Sequence, residues 1–200
     1  MTHRHQYRDG CSCWRCTAQL YGLWFDELGR RTASGKWVFF DTISFTTSEF
    51  PWRRGFPINA SRPNPDFAHS FFSYFISHFE NVLNDRIDYA VADQLGSANG
   101  RLHLHALLAG ASLGENLRGP MEAWLTTHAG YSRVLPFEKG AAFYISRFMG
   151  RGSSQCEWDV SVGEQKLAQV REPEIWGNVV VASAELPKGA FHQGLPERRR

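Results

Sequence analysis

Apolar residues along this chain recur with two distinct periods, and the alternation between them predicts the order of elements. Phe67, Phe71, Phe75, Phe79 and Leu83 repeat every four residues. That spacing places them on one stripe of a helix, starting at a cap from Asp66, ending near residue 84 and packing on a sheet. Leu20, Leu23, Trp24 and Leu28 show helical spacing over residues 14–29. After Gly35 the run Trp37-Val38-Phe39-Phe40-Asp41-Thr42-Ile43-Ser44-Phe45 is aromatic and β-branched, which predicts a central strand. Residues 46–65 hold Pro51, Gly55, Pro57, Pro63 and Pro65 and read as a long loop. Strands follow over 87–93 and 101–109, joined through the turn-prone Gly96-Ser97-Ala98-Asn99-Gly100 as a hairpin. A helix over 120–128, a strand over 131–135 and a helix over 138–150 come next. Late strands are expected at 158–162 and 178–182. This order predicts an α+β fold: an antiparallel sheet with helices packed on one face.

Length and composition fit one catalytic domain with extensions. The 200 residues divide into a Cys/His-rich leader and helix (1–35), a domain over 36–185 and a basic tail over 186–200. A net charge of +2 permits nucleic-acid binding without arguing for it. The seven Trp and fifteen Phe chiefly supply a core, with some available to stack on unpaired bases. No apolar run is long enough to span a membrane, and the N-terminus lacks the apolar stretch of a secretory signal. The expectation is a soluble cytoplasmic protein of a bacterial or archaeal host, in which the four Cys are thiols or metal ligands.

Candidate chemistry begins in Gly100-Arg101-Leu102-His103-Leu104-His105-Ala106-Leu107-Leu108. Residues two apart on a strand share a face, so His103 and His105 are neighbours that can bind one divalent cation. Asp93, just before the turn, would add a carboxylate if the hairpin register sets it opposite His103. A one-residue slip would turn it to the wrong face. Alone, a His-x-His strand equally fits surface decoration or a structural pair.

In Ala141-Ala142-Phe143-Tyr144-Ile145-Ser146-Arg147-Phe148-Met149-Gly150-Arg151, the apolar Ala142, Ile145 and Met149 form one stripe. Tyr144, Arg147 and Arg151 form another. A tyrosine beside guanidiniums suits attack on a phosphodiester, since the cations favour phosphate binding and phenolate formation together. Trp52, Arg53 and Arg54 in the long loop are further contacts for a DNA backbone.

Together these segments resemble the HUH endonucleases. The His-Leu-His strand resembles their second motif. Val38-Phe39-Phe40-Asp41-Thr42-Ile43-Ser44-Phe45 resembles the first, and Ala-Ala-Phe-Tyr144-Ile-Ser-Arg147-Phe resembles the third. The three occur in family order across roughly residues 36–151. The resemblance implies a ferredoxin-like sheet, with Mg²⁺ or Mn²⁺ held by His103, His105 and Asp93, and Asp88 as a fallback ligand. It further implies Tyr144 as nucleophile and a rolling-circle replication initiator of a plasmid or phage. Such a protein acts on single-stranded DNA at an origin hairpin, with host helicase and polymerase in trans. No phosphate-loop motif for an attached helicase is present. Family initiators commonly carry Lys where this chain has Arg147, which keeps the charge but cannot transfer a proton.

Other readings share parts of this pattern. A single-tyrosine transposase would use the same residues. A relaxase would want a third His, for which His69, His78 and His128 are the candidates. Two His and a carboxylate also suit an Fe(II) oxygenase, although the usual His-x-Asp is missing. A non-catalytic single-strand binder would need only the sheet. Separately, Cys11, Cys13 and Cys16, with His5 or Cys156, present a candidate structural zinc site.

Overall fold

A computed structural model of the chain describes residues 13–45, 65–95, 102–149, 158–163 and 165–169. Its elements are α1 (Trp14–Arg31), β1 (Phe39–Ser44), α2 (Pro65–Leu83), β2 (Asp88–Leu95), β3 (Leu102–Ala109), α3 (Glu115–His128), β4 (Ser132–Pro136), α4 (Lys139–Met149), β5 (Trp158–Val162) and β6 (Gln165–Gln169). All six strands pair antiparallel, in the order β4-β1-β3-β2-β5-β6. The segment β1-α2-β2-β3-α3-β4 is therefore a β-α-β-β-α-β unit of ferredoxin-like type, extended at one edge by β5 and β6.

The α+β expectation holds, but the helices cover both faces of the sheet. On one face α2 buries Phe67, Phe71, Phe72, Phe75 and Phe79, and α3 buries Met121 and Leu125. They meet Phe39, Ile43, Leu104, Ala106 and Leu108 of the central strands. Each such side chain taken from water contributes about 1.5–3 kcal/mol, so the four-residue phenylalanine repeat is the main anchor of this half. On the opposite face α1 (Tyr21, Trp24, Phe25, Leu28) and α4 (Ala141, Ala142, Ile145) pack over Ala90, Ala92, Leu107, Trp158 and Val160. Residues Trp14–Arg31 thus share a core with the sheet. Gly22 lets α1 lie against α4, because a Cβ there would overlap the Phe143 ring.

Helix α3 begins a turn earlier than the sequence pattern suggests, with Pro120 inside it. Proline favours the first helical turn but is tolerated deeper when flanking packing holds the helix, and here Met121 and Leu125 are fully buried. The long loop carrying Trp52, Arg53 and Arg54, the hairpin turn over 96–100, Arg151, Cys11, the strand expected at 178–182 and the basic tail lie outside the described residues. No helix among the described residues is long and apolar enough to cross a membrane.

Candidate active site

Strand β3 lies between β1 and β2, so each of its histidines has a neighbour on both sides. Across β1, Thr42 pairs with His105 and Ser44 with His103. Directly paired residues share a face. Accordingly the Thr42 hydroxyl lies 3.2 Å from His105 Nδ1, and the Ser44 hydroxyl lies 2.8 Å from His103 Nδ1. Both imidazoles are oriented through Nδ1, which makes Nε2 of each the nitrogen suited to a metal. The two rings are nearly parallel, with centroids 6.5 Å apart.

On the other side of β3, the register sets Gln94 opposite His103 and Ala92 opposite His105. Gln94 Oε1 is 3.0 Å from His105 Nε2. Burial, and secondarily the neighbouring His103, push the His105 pKa down to about 3. The ring is therefore neutral near pH 7, with Nε2–H donating to Gln94 Oε1, and a cation at Nε2 would shift that one proton to Nδ1, where the Thr42 hydroxyl can accept it.

Asp93 does not join this group. It pairs with Leu104 and is fully buried on the α2 and α3 side of the sheet, the outcome of a register one residue away from the expected one. The fallback Asp88 pairs with Ala109 at the far end of β2. It accepts hydrogen bonds from the backbone N–H groups of Ala33 and Gly163, at 3.1 and 2.9 Å, and so ties two turns to the start of β2. The relaxase-type third histidine also has no counterpart among the described residues. His78 and His128 stack on Trp124 between α2 and α3, and His69 lies on α2, all on the face opposite His103 and His105.

Helix α4 brings the tyrosine to the histidine face. Ala141, Ala142 and Ile145 are buried beneath it, which turns Tyr144 and Arg147 outward. The Tyr144 ring stands edge-on to His105 with centroids 5.0 Å apart, and edge-on to Phe40 at 5.8 Å. Phe40 in turn stacks on His105 at 6.0 Å. The ring is 38% exposed, open enough to meet a large substrate. The Arg147 guanidinium sits 6.0 Å from the Tyr144 ring centroid, in cation–π range.

The structure thus brings together His103, His105, Tyr144 and Arg147, and leaves Asp93 on the other side of the sheet. Gln94, Thr42, Ser44 and Phe40 join this cluster by contact with the two histidines, and the sequence reasoning did not single them out. The alternation Phe40, Thr42, Ser44 in the first motif was the available signal, since these residues share one face of β1. The leader is described only in part. Cys13 precedes α1, and Cys16 is buried in its first turn. Among the described residues no three His, Cys, Asp or Glu side chains form a metal-binding group.

No protein-family model matches the chain, and no curated protein matches its sequence. Among solved structures it is similar to the N-terminal nuclease domain of non-structural protein 1 from minute virus of mice. Identity is 12%, 77% of each chain is covered, and the TM-score is 0.29. That domain is described as coordinating Zn²⁺ in its active-site pocket and recognising DNA at an origin of replication. At so low a score the likeness carries no weight for the present chain.

Proposed function

We propose that this chain nicks and rejoins single-stranded DNA through Tyr144. The observation that carries the reading is the juxtaposition of the Tyr144 ring, 5.0 Å from His105, with a histidine pair whose Nδ1 atoms are both engaged by hydroxyls of β1. A part-exposed phenol against one imidazole of a metal-suited pair, with the Arg147 guanidinium beside it, suits attack on a phosphodiester. The three-motif resemblance to HUH endonucleases supports the same class.

His103, His105 and the Gln94 carbonyl oxygen would hold a divalent cation, giving a donor set of two imidazoles and one neutral amide. Such a set fits Mn²⁺ or Zn²⁺ better than Mg²⁺, which favours carboxylate oxygen. When bound, the cation supplies Lewis-acid polarisation of the scissile phosphate. Tyr144 Oη attacks phosphorus and the bond to the 3′ oxygen breaks. The products are a 5′-phosphotyrosine and a 3′ hydroxyl, with the phenol proton passing to solvent and a proton returning to the leaving oxygen. Arg147, permanently charged, holds the phosphate oxygens by paired N–H donors and takes no part in proton transfer. Reversal by an incoming 3′ hydroxyl rejoins the strand without a nucleotide cofactor. The biological setting we propose is initiation of rolling-circle replication at an origin hairpin, with helicase and polymerase supplied by the host.

Incubating the full chain with Mn²⁺ and single-stranded hairpin oligonucleotides tests the reading. A denaturation-resistant protein–DNA adduct is expected with the wild type and absent with Tyr144→Phe. A sheet that binds DNA but never cleaves would make the protein a single-strand binder instead.

A further inference from the structure

Helices α1 and α4 cover only part of the histidine face. They pack mainly over β2, β3 and β5; toward β1 the Tyr144 ring of α4 reaches Phe40, and beyond it Tyr131 and Arg133 stay exposed. There the register lines up two rows. In one, Arg133 pairs with Thr42, which pairs with His105. In the other, the Tyr131 carbonyl accepts the Ser44 N–H at 2.8 Å, continuing the ladder from Ser44 and His103 to Tyr131. Tyr131 and Arg133 are two residues apart and so share this face. Each lies two strand spacings, about 10 Å, from a histidine.

Both side chains are exposed in a way that folding does not require. Tyr131 is 61% exposed, the second most exposed of the large apolar side chains described. Arg133 is exposed, and no carboxylate among the described residues lies within ion-pair distance of it. Val134, between them and the β4 end, points to the other side and is buried. An open aromatic ring and a guanidinium without a described ion-pair partner, on one strand edge in register with the histidine pair, suit a stacking platform and a backbone contact for an unpaired nucleotide.

We propose that Tyr131 and Arg133 form a binding site for the nucleotide beside the scissile phosphate, Tyr131 stacking on its base and Arg133 contacting its phosphate. The strand would then cross the sheet from β3 over β1 to the β4 edge. This inference rests on the single-strand reading above, yet it concerns binding and not cleavage.

The test uses the full-length Tyr144→Phe protein in EDTA, so neither chemistry nor a cation contributes, with a fluorescent single-stranded oligonucleotide. Tyr131→Ala is expected to weaken binding about 5- to 100-fold, and Tyr131→Phe to leave it unchanged, as stacking needs only the ring. Arg133→Gln is expected to flatten the slope of log affinity against log salt by about 0.7. Thermal melting of each variant should match the parent, because both side chains are exposed. Equal affinity of the parent and Tyr131→Ala, or equal losses in Tyr131→Ala and Tyr131→Phe, would overturn the stacking role. An unchanged salt slope would overturn the role of Arg133. Should the wild type bind with these dependences but form no covalent adduct, the binding site stands and the nuclease reading fails.

Discussion

Gln94, and not Asp93, faces His103 across the β2–β3 ladder, and its carbonyl oxygen reaches His105 Nε2 at 3.0 Å. A neutral amide therefore sits where a carboxylate was expected. Gln94→Glu should tighten Mn²⁺ binding about tenfold or more, as an added ligand charge does elsewhere. Gln94→Ala should weaken it. Asp93→Asn should leave metal affinity unchanged, because residue 93 lies on the other side of the sheet. Isothermal titration of the three variants reads this directly, and an effect of Asp93→Asn larger than that of Gln94→Ala would contradict the register.

The Asp93 reading failed for a physical reason. Alternation specifies a strand's register only when one face is wet. Here both faces are covered, so Val91, Ala92 and Asp93 are all buried in succession, as are all six residues Leu104–Ala109. Strands of that kind read as continuous apolar runs that carry no parity. The phenylalanine repeat of α2 was legible because a helical stripe needs one apolar face only. Tyr144 was legible for the same reason, since Ala142 and Ile145 define the inward face of α4. The histidine pair was legible from its i, i+2 spacing; its partners Thr42 and Ser44 alternate on β1, but that strand lies some sixty positions away, so the pairing itself had no local mark.

Packing of α1 on α4 sets the position of the nucleophile. Gly22→Ala places a methyl group against Phe143, the residue next to Tyr144. We expect a stability loss of about 1–3 kcal/mol from overpacking. Cleavage should also slow well below the melting temperature, because a displacement near 1 Å at a reacting group costs about 100-fold. Gly140→Ala, where a Cβ meets nothing within 4 Å, should instead stabilise α4 by up to about 1 kcal/mol. Melting curves and single-turnover rates of the two variants distinguish the sites.

Asp41 is fully buried on the α2 and α3 face, and neither carboxylate oxygen has a hydrogen-bond partner among the described residues. Burial, then the nearby Glu122, hold its pKa well above the usual carboxylate range. The folded state therefore keeps a proton that the unfolded chain releases. Its stability contribution is complete below pH 3.8 and declines as pH rises toward the folded pKa, at no more than about 1.4 kcal/mol per pH unit. Asp41→Asn should remove that decline. Urea denaturation of both proteins across pH 4 to 8 checks the difference in slope.

His105 acts with the opposite sign. Its folded pKa of about 3 lies below the ordinary imidazole value of 6.5, so folding favours the neutral ring. The associated stability is present above pH 6.5 and lost as pH falls toward 3, again by at most about 1.4 kcal/mol per unit. His105→Gln should show a shallower loss over that window, measured by the denaturation midpoint.

The most direct measurement is peptide mapping of the protein after reaction with a single-stranded origin hairpin and Mn²⁺. Attachment of the 5′-phosphate to Tyr144, and its absence in Tyr144→Phe, is the predicted result. A covalent link at any other residue, or an adduct that survives Tyr144→Phe, would contradict the account.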